Sequence, residues 1–110
     1  MIKNYTPHPV TVLLPDGTRR TYPSQGTARV ACTTMPVLAP NGTPLTVDGV
    51  PVTYLHYGAV EGLPDFDPPT RYIGSRMVAE CLHRPDLLVP GGQVRDEEGR
   101  VIGCTSFDLI

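Results

Sequence analysis

The sequence runs to 110 residues with a formal net charge of −2 at pH 7, room for one domain and one modest core. Lysine occurs once, at Lys3, and no run of cations is present, which excludes the clustered charge that long nucleic acids require. With 11 Gly, 13 Pro and no Trp, the chain reads as many short elements joined by tight turns around a thin aliphatic core, a size at which oligomerising adds stability.

The first polar cluster is "NYTPHP". Pro7 and Pro9 bias Thr6 and His8 toward extended backbone, so Asn4, Thr6 and His8 are expected in a row on one face of an edge strand. Such a row would either read out a polar ligand or tie down the terminus through backbone bonds. "PVTVLLPDGTRRTYP" alternates apolar and polar residues about Asp16-Gly17, a hairpin signature with Val10, Val12 and Leu14 on one face. "TARVACTTM" is a further strand, with Ala28, Val30 and Cys32 facing one way. Asn41-Gly42 and Asp48-Gly49 mark two more turns, the second closing a hairpin into "VPVTYLHY", where Pro51 suits a strand start or an edge.

"AVEGLPDFDPPT" holds too many prolines for regular structure. "RYIGS" reads as a short buried strand leading into the one helix, "RMVAECLHR", capped by Ser75 and stopped by Pro85. Its expected apolar stripe is Met77, Val78, Cys81 and Leu82, with Glu80 paired to Arg84 at i,i+4. "PDLLVPGG" follows as loop or strand, and "QVRDEEGRVIGCTSF" as a closing hairpin with "DEEG" at its tip. The expected fold is a single α+β domain over residues 1–110, dominated by antiparallel sheet, with about seven short strands in hairpins and one short helix.

Catalytic signatures are missing. His8, His56 and His83 have no metal-ligand spacing and no His-x-Thr/Ser pairing. "YIGSR" lacks the second glycine of a nucleophile elbow. Cys32, Cys81 and Cys104 are odd in number and lack C-x-x-C spacing, so they read as reduced thiols in the core. No stretch has the apolar core of a signal peptide or the length of a membrane span. Asp65 and Asp67 flank Phe66 in the proline-rich loop, suited to a cation or a general-base pair, or else simply a solvated loop. The expectation is no catalysis, no metal and no cofactor.

The junction "TRYIGSRMV" is the best local candidate for a ligand. Gly74 lets backbone approach a ligand or simply pack. The helix start offers N–H groups to an anion, and Arg71 and Arg76 bracket it with guanidinium groups suited to phosphate. Arg29 and Arg95 sit on expected strands and join the candidate set. The alternative is structural: Ser75 caps, Gly74 packs and the arginines make surface pairs.

"NYTPH", "ARV", "YGAVEGLP", "TRYIGSRMVAE" and "VRDEEGRVIGC" together resemble a group of small proteins from actinobacterial phages and prophages. These carry N-[LYF]-T-P-H at the start, G-L-P in the middle, Y-I-V-S before a short helix and R-D-E-x-G near the end. Here "YIGS" departs from Y-I-V-S. The resemblance implies an accessory or counter-defence protein in the cytoplasm of a bacterial host. One such class forms oligomeric sponges that sequester phosphate-bearing nucleotide signals. On that reading Arg71, Ser75 and Arg76 hold phosphate, with Arg29 and Arg95 converging. Asn4, Thr6 and His8 read polar groups, and Tyr54 or Tyr57 stacks on a base. The alternative is a virion-structural or protein-interaction module, which requires an exposed apolar patch or sheet edge instead of a cationic cleft.

Overall fold

The computed structural model describes all residues, Met1–Ile110, as an α+β fold of twelve short strands and one helix. Its contacts divide the chain into two compact units, residues 1–29 with 60–110, and residues 30–59.

The larger unit is organised by a four-stranded sheet in the order β1-β8-β9-β12, formed by Ile2–Asn4, Arg71–Ile73, Leu87–Gly91 and Ser106–Asp108. β1, β8 and β9 run parallel, with Asn4 opposite Ile73 and Ile73 opposite Leu88. Only β12 is antiparallel, pairing Asp108 with Val89. Antiparallel hairpins are present as expected, but the centre of this sheet is parallel. "LLV" is a continuous apolar run, buried on both faces as parallel strands are. It therefore forms a central strand, not a loop.

The helix α1, Arg76–Leu82, connects β8 to β9 as a compact βαβ crossover. Ser75 caps it as expected, its Oγ accepting from the Val78 amide at 3.3 Å. His83 ends it in the left-handed conformation (φ 49°), ahead of Pro85. The buried face is Val78 and Ala79, while Met77 and Cys81 are exposed. The expected stripe is thus rotated by about one position, because seven residues are too few for the periodicity to fix the face. Val78 packs with Ile73 and Leu87 among the most deeply buried side chains. Gly74 is buried too, and a Cβ there would stand 3.3 Å from Leu87 Cδ2.

Two hairpins complete this unit. β2 (Val10–Leu13) pairs with β3 (Arg19–Tyr22) around the expected Asp16-Gly17 turn. β10 (Val94–Arg95) pairs with β11 (Val101–Gly103) around "DEEG". Cys104 follows β11 and joins β2 through backbone bonds to Thr11 and Leu13. Burial raises the pKa of its thiol. Of the three cysteines only Cys104 is buried; Cys32 and Cys81 are exposed, contrary to expectation.

The opening cluster does not form an extended row. The chain bends at Thr6–His8 directly after β1, and the Asn4 side chain, 1% exposed, is the reason. Its Nδ2 donates to the carbonyls of His8 (2.8 Å) and Tyr22 (3.0 Å). Its Oδ1 accepts from the Thr6 amide (2.9 Å) and the Thr6 hydroxyl (2.6 Å). That fills all four positions an amide offers.

The smaller unit is a ribbon. β4 (Arg29–Pro36) pairs only with β7 (Thr53–Glu61), and β5 (Thr46–Val47) with β6 (Val50–Pro51) through the expected turn at Asp48 (φ 51°) and Gly49 (φ 76°). No residue from 30 to 59 is buried.

Asn4→Ala strips the partners from a buried cluster, and the expected loss is about 2–4 kcal/mol of unfolding free energy. Thr6→Ala, which leaves Asn4 two carbonyl acceptors and one amide donor, is expected to cost about 1 kcal/mol. Urea titration of the two variants beside the parent chain measures both; equal losses would show that Asn4 does not organise the bend.

Candidate functional site

The most strongly built polar cluster lies between α1 and β9. Asp86 is 3% exposed and immediately precedes β9. Arg84 grips its carboxylate with both arms of the guanidinium, Nε to Oδ1 at 3.0 Å and Nη2 to Oδ2 at 2.7 Å. The third arm, Nη1, donates to the Pro64 carbonyl at 3.0 Å and so ties down the proline-rich loop. The same guanidinium lies 6.0 Å from the Tyr72 ring centroid, within cation–π range. Tyr72 packs edge-on against Tyr5 with centroids 5.6 Å apart. The Asp86 hydrogen bonds hold Arg84 above the ordinary arginine value. Burial, helped by the Asp67 carboxylate, raises the pKa of the Tyr72 hydroxyl. These ionisable groups are spent on one another, so the cluster works as a clamp. The i,i+4 pairing of Glu80 with Arg84 is not formed; Glu80 pairs with Arg76 instead.

Beside the clamp is a cleft of about 240 Å³, walled by Phe66, Pro68, Pro69, Arg71, Pro85 and Asp86. Arg71 is exposed and makes no ion pair within the chain, which leaves its guanidinium available at the cleft. None of the other candidate arginines lines it. Arg76 is held by Glu80 at 3.0 Å on an open surface, and Arg95 donates to the Gly99 carbonyl at 2.7 Å on the terminal hairpin. Arg29 is exposed at the start of β4. A second cleft of about 170 Å³, between Val10, Thr11, Pro90, Val101 and Ile102, contains no arginine.

The other candidates have structural surroundings. Ser75 spends its hydroxyl on the helix cap. Of the amides at the start of the seven-residue α1, that of Val78 is taken by the Ser75 cap. Asn4 and Thr6 bond each other and neighbouring backbone, while His8 contributes its carbonyl and leaves its side chain exposed. At the hairpin tip, Asp96 accepts from the Arg100 and Glu98 amides, and these bonds hold its carboxyl below the usual range. No group of three His, Cys, Asp or Glu side chains stands close enough to hold a metal ion.

Tyr54 and Tyr57 stand on β7 of the ribbon, 59% and 55% exposed. They are accompanied by Met35, Leu38, Val47, Val50 and Leu55, each more than half exposed. The strands that carry all of these but Leu38 are legible in the sequence, but their exposure is not. One signal was available: between residues 30 and 59 the only side chain with a formal charge is Asp48.

Compared with known protein families, curated proteins and solved structures, the chain matches none. No helix is long and apolar enough to cross a membrane.

Removing one partner of the Arg84–Asp86 pair strands the other. Arg84→Met is expected to destabilise the chain by about 3 kcal/mol, and Arg84→Met with Asp86→Leu to recover much of that loss. A double-mutant cycle by urea unfolding measures the coupling; additive losses would show that the pair is not a unit.

Proposed function

We propose that this chain is a non-catalytic protein-interaction module whose working surface is the β4–β7 ribbon. The observation that carries this reading is the ribbon's lack of any buried residue, with seven large apolar side chains more than half exposed. A segment that exposes so many large apolar side chains is where a partner gains most by burying them. Both ribbon strands also keep an unpaired edge, the template on which a strand of a partner can add. In the phage context that the resemblance implies, the module is an accessory or virion protein acting in the bacterial cytoplasm, where the exposed Cys32 and Cys81 stay reduced.

A photo-crosslinking residue at position 55, introduced in the cells that make the protein, is expected to yield adducts mapped to defined residues of a protein partner. The same probe at position 76, on the exposed face of α1, is expected to yield few. Equal yields at the two positions would contradict the ribbon as the working surface.

A second reading, sequestration of a small phosphate-bearing nucleotide signal, is supported by the free guanidinium of Arg71 at the 240 Å³ cleft. On this reading a cyclic dinucleotide, cyclic trinucleotide or cyclised ADP-ribose isomer disappears from solution on mixing and returns intact on heating, and Arg71→Ala abolishes the effect. No depletion across that panel would remove the reading.

A further inference from the structure

We propose that the ribbon's partner is a second copy of this chain, joined through the outer edge of β7 about a two-fold axis at Tyr57. The inference rests on the ribbon being the interaction surface and goes further by naming the strand that pairs with its open edge.

Charge is the first argument. The chain carries 9 Lys and Arg and 11 Asp and Glu, yet within residues 30–59 only Asp48 is charged. A surface that recognises a foreign partner by charge complementarity has charges to offer. A surface free of them meets its own copy without like-charge repulsion.

Apolar exposure along β7 is the second argument. Tyr54, Leu55 and Tyr57 are between 52% and 59% exposed. A strand laid against the open edge of β7 gives each of them a cross-strand neighbour.

The third argument concerns which edge is open. β4 begins at Arg29 and ends at Pro36, a charge and a residue without an N–H, both of which blunt an edge. β7 is the longest strand in the chain, with nine residues from Thr53 to Glu61, no proline, and no formally charged residue before Glu61. Its only hydrogen-bonded neighbour is β4.

Register follows from symmetry. Two copies of a strand pairing antiparallel about a two-fold axis form an isologous contact. With the axis at Tyr57, the midpoint of β7, all nine residues pair. Leu55 then faces the partner's Ala59, His56 the partner's Gly58, and Tyr54 the partner's Val60, with Tyr57 opposite its own copy. Each larger side chain meets a smaller one, and the two tyrosines form an aromatic cross-strand pair. Within one copy Gly58 faces Ala31, 3.5 Å from its Cβ position. Alternation along the strand therefore puts Tyr54 and His56 on that face and Leu55 and Tyr57 on the other.

Sedimentation equilibrium of the whole protein is expected to give twice the 11.9 kDa chain mass. Tyr57→Lys sets two like charges against each other at the axis and is expected to weaken association by about 100-fold. Tyr57 is exposed, so the fold of each copy is not at stake. A second variant reads position directly. In a background of Cys32→Ser and Cys81→Ser, Tyr57→Cys is expected to form a disulfide-linked dimer on oxidation, and Tyr54→Cys is not. Parent protein that sediments at the chain mass, or a dimer that withstands Tyr57→Lys, overturns the inference. In either case adducts from position 55 to a different protein would leave the ribbon as an interaction surface, and their absence would remove both readings.

Discussion

Two strands that pair only with each other enclose no interior, because every side chain faces outward on one side or the other. Residues 30–59 are built under that constraint, and none of them is buried. All deep burial therefore falls to the remaining part of the chain, where Ile73, Val78 and Leu87 form the centre of a small core. A core that small tolerates no unpaired polar group. Its buried polar residues, Asn4 and Asp86, are accordingly satisfied, one by four bonds and the other by a two-pronged guanidinium.

The two units thus answer the same physical demand in opposite ways. The larger unit closes its accounts internally: the Arg84 clamp binds the proline-rich loop to the start of β9, and Asn4 binds the opening bend to the end of β3. The ribbon leaves its apolar side chains and two strand edges open to whatever meets it. On the proposed reading, the stable part and the contact surface are carried by separate units.

How much of this could be read beforehand depended on range. Asp16-Gly17, Asp48-Gly49 and the Ser75 cap were legible because each is set by two to four consecutive residues. The parallel pairing of β1 with β8 was not, because the register of Asn4 with Ile73 joins segments nearly seventy residues apart. Arg84 had an acidic residue at i−4 and another at i+2; burial of Asp86 beside β9 decided between them, and burial is a tertiary fact. Of the candidate site, Asn4, Thr6 and Ser75 proved to be placed by internal bonds, while Arg71 stands free beside a cleft. Tyr54 and Tyr57, the candidate stacking residues, stand exposed on β7. The uncharged stretch around them was visible in the composition, but only the two-stranded topology gives it meaning.

The central claim is that the core is complete within one chain and the ribbon is completed by association. Residue-resolved amide hydrogen exchange, run on dilute and on concentrated protein, tests it most directly. The account predicts that β8 and β9 amides are protected equally at both concentrations, while those of β7 from Thr53 to Glu61 gain protection as concentration rises. Protection of β7 that is strong and unchanged at high dilution would contradict it, since the ribbon would then be stable alone.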